Sequence, residues 1–460
     1  MAPDFDGLFK PKSIAVVGAS KNPEKIGFVI LNNLINLGFR GEIYPVNPKY
    51  DEILELKCYK SVLDIPKRPD LAVIVTPSGL VPGAIDELGR KGTRFAVVIT
   101  GGFGEVNNHE LKDRLLENCR KHKIKMVGPN CLGIASTKEN FDTIFFPIHK
   151  LRRPGYGRVS LVTQSGGVGS SLMAIASSMG VGINKFVSYG NNYILDESDF
   201  ISYLADDRDT KAIVVYIEGV SDGKKFMDTL AKANQKKPVI ILKAGKEGDM
   251  ALEAVKSHTG AMAGNYMAYK AVFKKAKVIE AATMNELFDF ISVSSQSLPK
   301  GRKVGIISNG GGFGVMAADS VIKNGLELPK ISDKMKQEIG AFLPPYASAG
   351  NPLDLVADAD VDRFSKAIDA FMKSDEVDMV LVSVLFQTPM INETLLSPLV
   401  KAGHDWRKPV ALVVPGGDEV EAFKKITSMN KVPTFDIPER AAVSLRKLYD
   451  YSKFRGIAKD

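Results

Sequence analysis

The chain is poor in the residues that build stapled folds. Its 460 residues include three cysteines, Cys58, Cys119 and Cys131, which lie far apart and form no Cys-x-x-Cys pair. Neither a disulfide framework nor a zinc knuckle is expected from them. No apolar run approaches the roughly 20 residues of a membrane-spanning helix. The start, Met-Ala-Pro-Asp-Phe-Asp-Gly, lacks the basic-then-apolar pattern of an export signal. A cytoplasmic location without a membrane segment is therefore expected. Gly-x4-Gly-Lys-Ser/Thr is missing, and the first strand-to-helix turn lacks Gly-x-Gly-x-x-Gly. No nucleic-acid motif stands out among the scattered lysines.

What is present suits a globular chain of two to four domains. Hydrophobic residues make up 45% and charged residues 25% of the sequence. The net charge of +8 fits a solvated basic surface. It fits equally a field that attracts small molecules carrying several phosphates.

Apolar strands alternate with amphipathic helices along the chain. Ser13–Ser20 reads as a buried strand entering a glycine turn, followed by a helix with Ile26, Ile30, Leu34 and Leu37 on one face and Gly38 as its stop. Further strands are expected at 42–46, 71–75, 96–99 and 125–127. This pattern predicts a parallel sheet covered on both faces, a doubly wound α/β domain over residues 1–146. Ligands bind such sheets at the carboxyl ends of the strands. The residues there are Gly18, Ala19 and Ser20; Asn47, Pro48 and Lys49; Thr76; Thr100; and Gly128, Pro129 and Asn130. They are small, polar or backbone-exposing, as a phosphorylated nucleotide requires. An NAD site is disfavoured because the second strand ends in Asn47-Pro48 where an acidic residue would hold the ribose.

A basic Pro/Gly linker at 147–158 leads to a second strand–glycine–helix unit. Val159–Thr163 runs into Gln164-Ser165-Gly166-Gly167, and the next helix carries Val168, Leu172, Ile175 and Met179 on one face. Glycines and a serine at a helix start suit phosphate, and a turn that binds nothing is the alternative. Strands at 212–217 and 239–243 complete this domain, which spans 147–297. A polar run at 185–192 offers Ser188, Gly190 and Asn191, and Glu218 ends a strand where water is partly excluded. A third unit, 298–460, opens with Val304–Ser308 and Asn309-Gly-Gly-Gly-Phe-Gly314. Its Asn351-Pro-Leu-Asp354 reads as a polar turn. The expected fold class is thus α/β, with three consecutive doubly wound domains.

One stretch holds an open imidazole: Lys256-Ser-His258-Thr-Gly-Ala-Met-Ala-Gly264. Small neighbours leave His258 accessible, and neutral histidine is a competent nucleophile near pH 7. Taken alone, the stretch also fits a histidine that only packs in a loop. His109, His122, His149 and His404 fall at a helix start, in a basic loop, in the linker and in another loop.

Gly18-Ala-Ser20, Val46-Asn-Pro48, Gly128-Pro-Asn-Cys-Leu-Gly133, Gln164-Ser-Gly-Gly167, Tyr216-Ile-Glu-Gly219, Ser257-His-Thr-Gly260 and Asn351-Pro-Leu-Asp354 occur in this order. Together they resemble the α subunit of the ADP-forming (NDP-forming) acyl-CoA synthetases, relatives of succinyl-CoA synthetase. The resemblance covers nearly the whole chain. It implies a Rossmann-like CoA-binding domain followed by two flavodoxin-like succinyl-CoA-ligase domains. The implied reaction is acyl-CoA + ADP + phosphate giving acid + ATP + CoA, with acetyl or another short or aryl acyl group. By the same resemblance His258 carries the phosphoryl group and Glu218 orients its ring. Ser165, Gly166 and Gly167 would hold phosphate, and Asn191 would face the acyl group or phosphate. Coenzyme A would contact Gly18, Ser20, Asn47, Lys49, Thr76 and Asn130. No metal site is expected in this chain. No stretch resembles an ATP-grasp domain, so ADP/ATP and Mg²⁺ are expected mainly on a partner β subunit, in an α2β2 heterotetramer. A non-catalytic CoA-binding regulatory protein of the same fold is the alternative.

Overall fold

The computed structural model describes residues 4–246, 265–404 and 408–459. The chain divides into two compact units: Met1–Ser177 with Gly182–Glu280, and Ser178–Val181 with Ala281–Asp460.

In the first unit, β1 (Ser13–Val17), β2 (Glu42–Val46), β5 (Leu71–Ile74), β6 (Phe95–Val98) and β7 (Lys125–Val127) form a parallel sheet in the order β2-β1-β5-β6-β7. A small hairpin, β3 (Glu52–Ile53) and β4 (Leu56–Lys57), follows β2. β1, β5 and β6 are buried along their whole length, which explains their near-continuous apolar character. The helix Ile26–Asn36 lies on one face, and its buried side overlaps the expected one at Ile30 and Leu34 but is rotated from it. Val29, Ile30, Leu31 and Leu34 are buried, whereas Ile26 is 40% exposed. Asn33 accounts for the rotation: it is buried and donates to the carbonyls of Ile144 and Phe146, so the helix turns toward that segment.

The second sheet of this unit is mixed. Its order is β14-β13-β12-β10-β11-β8-β9. Here β8 is Gly133–Ser136, β9 Phe141–Asp142, β10 Tyr156–Thr163, β11 Ile183–Ser188, β12 Ala212–Ile217, β13 Val239–Lys243 and β14 Ile279–Ala281. The strands β10 to β13 run parallel, while β8 pairs antiparallel with β11 and β9 with β8. Residues 133–142 therefore complete the second sheet, although they precede the linker. The helix Gly166–Ser178 buries Gly169, Leu172, Met173 and Ala176, a face displaced by one position from the expected stripe. A Cβ on Gly169 would lie 2.7 Å from Thr163 Cγ2 and 2.9 Å from the Phe186 ring, so the helix meets the sheet at its glycine side.

The second unit has a parallel sheet of order β16-β15-β17-β18-β19: β15 (Val304–Ser308), β16 (Leu353–Asp354), β17 (Met379–Ser383), β18 (Val410–Val413) and β19 (Thr434–Phe435). The Asn351–Asp354 stretch, expected as a turn, ends as edge strand β16. Asn351 holds it there, accepting from Ile306 N and donating to the Val304 and Pro329 carbonyls. The half-buried Arg440 clamps Asp289 through Nε and Nη2 at 2.9 and 2.7 Å. The doubly wound α/β class expected from the sequence is the class observed.

Candidate active site

Among the described residues the chemistry-bearing side chains gather in the first unit, where both sheets present their carboxyl ends. The loop after β1 requires glycine at position 18. Its φ is +96°, and a Cβ there would stand 3.0 Å from the Thr76 N and Val75 C atoms. Gly18 N donates to Val46 O at 3.0 Å, and Asn47 Nδ2 donates to Ala19 O at 2.7 Å. These bonds tie the β1 and β2 ends together. Asn47 Oδ1 accepts from Lys49 N, which leaves the Lys49 side chain exposed, and Ser20 Oγ accepts from Asn22 N. The next strand end joins through Thr76, whose carbonyl accepts from Thr100 Oγ1 at 2.7 Å. Thr76 Oγ1 is buried and has no partner among the described residues. Gly18, Ser20, Asn47, Lys49 and Thr76 thus share one rim of the first sheet.

Asn130 belongs to this rim and to the second sheet. It sits at φ +56° in the Gly128–Gly133 loop, and its N–H donates to Thr100 O. Its Nδ2 reaches Asn191 Oδ1 at 3.4 Å. The approach is possible because residue 190 is glycine: a Cβ there would fall 2.3 Å from Asn130 O. Asn191 Nδ2 donates to Glu105 Oε2 at 2.6 Å, while Glu105 Oε1 accepts from Gly102 N and Phe103 N. Tyr193 Oη accepts from Gly104 N at 2.8 Å, and the Lys112 ammonium lies 5.0 Å from the Tyr193 ring centre. Burial raises the Tyr193 phenol above its ordinary value, so it stays protonated.

The helix start at Gly166 opens beside this loop. Gly166 faces Leu132, with 3.2 Å from an added Cβ to Leu132 Cβ, whereas Gly167 faces open space beyond Ser165 Oγ. Ser165 Oγ accepts from Val168 N, and Ser165 O accepts from Gly169 N and Thr163 Oγ1. One residue earlier, Gln164 Oε1 accepts from Glu218 N at 2.8 Å and from Gly219 N at 3.1 Å. The phosphate-type turn and the strand-end carboxylate are therefore positioned by one amide. Glu218 is 4% exposed, and Tyr216 Oη donates to its Oε1 at 3.3 Å. Burial and this carboxylate raise the Tyr216 phenol.

His258 lies outside the described residues. Of the other histidines, His109 starts the helix His109–His122 as expected. His122 departs from the loop expectation: it closes that helix, with Nε2 at 2.8 Å from Asp86 Oδ1. Glu105, Tyr193 and Lys243 were not singled out from the sequence, and Gln164 entered only as the first residue of the Gln164–Gly167 motif. Gln164 directly follows β10, a position that would have flagged it, whereas Glu105 lies further along the loop after β6, in the short helical turn Gly104–Val106. Among the described residues no group of three or more His, Cys, Asp or Glu side chains is placed to hold a metal.

Three family models match the chain in succession: a CoA-binding domain over 12–137, a succinyl-CoA ligase-like flavodoxin domain over 156–294 and a ligase-CoA domain over 304–454. An ADP-forming acetate–CoA ligase I subunit alpha from Pyrococcus furiosus is 37% identical, covering 99% of each chain. The chain belongs to the family of ADP-forming acyl-CoA ligases. A second member of that family, the ADP-forming acetate–CoA ligase of Methanocaldococcus jannaschii, is 40% identical over 96% of this chain. This chain spans 62% of that relative's length. A solved structure of acetyl-coenzyme A synthetase 1 from Candidatus Korarchaeum cryptofilum, in complex with phosphate and ADP, superposes with a TM-score of 0.92. It is 36% identical and matches 99% of this chain and 98% of that one. The three matched segments occur in the same order as the three large sheets along this chain.

Proposed function

We propose that this chain is the α subunit of an ADP-forming acyl-CoA synthetase, an acid–thiol ligase with domains 1–146, 147–297 and 298–460. It would work in the cytoplasm on acetyl-CoA or another short or aryl acyl-CoA. The observation that carries this reading is the single loop, 128–133, at which the first sheet's nucleotide-type rim meets the Ser165–Gly167 helix start and Asn191. A thioester held along the rim through Gly18, Ser20, Asn47, Lys49, Thr76 and Asn130 would end at that loop. The Thr76 hydroxyl, without a partner among the described residues, supports a polar ligand there.

In the proposed sequence, phosphate at Ser165, Gly166 and Gly167 attacks the thioester carbonyl carbon. The C–S bond breaks, and CoA leaves as a thiolate that takes up a proton. The helix start steadies the anion through backbone N–H groups and its dipole. His258 then attacks phosphorus, and the bond between phosphorus and the carboxylate oxygen breaks to release the acid. Glu218 accepts a hydrogen bond from the other ring nitrogen, leaving the attacking nitrogen unprotonated. Finally the phosphoryl group passes from His258 to ADP. A carrier makes this possible without both substrates sharing one site, since phosphoryl transfer depends chiefly on positioning and charge neutralisation.

ADP/ATP with Mg²⁺ is assigned to a partner ATP-grasp β subunit in an α2β2 assembly. Relatives named as alpha subunits support a partner. No helix among the described residues is long and apolar enough to cross a membrane.

Incubation with labelled phosphate and acetyl-CoA tests the reading. The wild type should acquire acid-labile, alkali-stable label, and His258→Ala should not. Unlabelled wild type would favour a non-catalytic CoA-binding role, and equal labelling of His258→Ala would move the carrier elsewhere.

A further inference from the structure

The strand beside the Glu218 turn ends in a buried cation. Lys243 is the last residue of β13, paired in register with Ile217 at the end of β12, and it is 2% exposed. Its ammonium donates to Glu218 O at 2.8 Å and to Ala244 O, and it lies 4.7 Å from the centre of the Tyr269 ring. Tyr269, from the helix Tyr266–Ala276, accepts through its Oη from Val220 N at 3.0 Å. One ammonium thus fastens the Glu218–Val220 turn, the residue after β13 and the packed helix. Burying a lysine in this way opposes its charge, and an aliphatic side chain would fill the same volume at less cost.

We propose that Lys243 is a positioning residue for phosphoryl transfer: its ammonium fixes the Glu218 turn and offsets the negative charge gathered when a phosphoryl group approaches that carboxylate. This role rests on the carrier reading above. Two anions brought together in a buried pocket repel strongly, and a fixed cation beneath one of them reduces that repulsion. Among the described residues the charged and titratable groups around the ammonium are few. Glu218 follows β12 and favours the charged lysine, whereas Lys246 follows β13 and opposes it. Lys246 is itself turned to Glu280 at 3.4 Å. The helix supplies Tyr269, whose phenol in turn feels Glu197. Burial, opposed by Glu218, lowers the ammonium to about 8, so the wild-type charge is lost as pH rises through that value.

The test uses Lys243→Met and Lys243→Arg in the chain with its partner subunit. The rate of label transfer from phosphate and acetyl-CoA to His258 is followed from pH 6 to pH 10, with CoA binding by calorimetry as a control. At pH 7 the methionine variant should label at least about tenfold more slowly with CoA affinity unchanged. Arginine, which stays charged throughout this range, should restore most of the rate and remove the alkaline fall near pH 8. Wild-type labelling in the methionine variant, or an arginine variant that keeps the fall near pH 8, overturns the role of Lys243 and leaves the carrier intact. Absence of label in the wild type overturns the carrier and this role together. Should methionine impair CoA binding, the arginine profile decides.

Discussion

Asn130 Nδ2 stands 3.4 Å from Asn191 Oδ1, and through that pair the last strand end of the first sheet reaches the loop that follows β11. Each partner depends on backbone that a side chain would obstruct or strain: φ +56° at Asn130 and a glycine at 190 pressed against Asn130 O. Asn191 is also held by the Glu105 carboxylate at 2.6 Å.

Replacing Asn191 by alanine removes a hydrogen bond to a charged group, worth about 1.5–3 kcal/mol. If Asn191 acts where thioester meets phosphate, kcat/KM for acyl-CoA should fall roughly 10- to 100-fold. Steady-state assays across acyl-CoA concentrations with the partner subunit would check this, and a variant with unchanged kcat/KM would remove Asn191 from the site.

Gly190→Ala should be worse than its size suggests. The φ of +55° disfavours alanine, and the added methyl group would fall 2.3 Å from a carbonyl oxygen. Strain at such a position costs on the order of 1–3 kcal/mol. Thermal unfolding should show a lowered midpoint together with weakened coupling to phosphate, whereas Gly167→Ala, facing open space, should leave the midpoint nearly unchanged.

Glu218→Gln keeps the volume and removes the charge. Gln164 would still hold the backbone of residue 218, because both bonds from that turn are made by N–H groups. Label transfer to His258 should slow by roughly 10²–10⁴, the range of general acid–base contributions, while CoA binding measured by calorimetry stays as in the wild type.

Glu197 gives a pH signature independent of catalysis. It is 1% exposed, and burial, with help from Asp196, raises its carboxyl from 4.5 to about 7. The folded protein therefore binds more protons than the unfolded chain between those values. Its contribution to stability is complete below the lower value and disappears as pH rises through about 7. From pH 5.5 to pH 8 the wild-type midpoint should drop several degrees further than that of Glu197→Gln, read by calorimetry. Parallel curves for the two proteins would contradict the assignment.

Bulky apolar strands made the class readable: β1, β5, β12, β13, β15, β17 and β18 are buried throughout and β10 over its last five residues, and they announce themselves by composition. The short strands β8, β9, β16 and β19 did not. β9, β16 and β19 have two residues each and β8, Gly-Ile-Ala-Ser, has little apolar bulk, and the pairing of β8, β16 and β19 depends on partners far along the chain. Helix faces shifted where a polar or small residue decided the packing, Asn33 in one case and Gly169 in the other. At the site, strand-end glycines and asparagines were legible because backbone geometry demands them. Glu105 and Lys243 were not: a glutamate in a loop and a lysine ending a strand look like surface residues until their partners are seen.

The hairpin β8–β9 lends residues 133–142 from the first sheet's chain to the edge of the second. A protein cut near residue 137 to isolate the CoA-type segment would carry off half of that hairpin and leave β11 with a bare edge. The isolated ligase segment would then offer unpaired N–H and C=O groups to any neighbouring strand. Expressed alone, the two pieces should aggregate, and a division after residue 132 should behave better for the downstream piece. The first unit is thus spliced through its backbone ladder, and the strand-end rims of its two sheets share a common foundation.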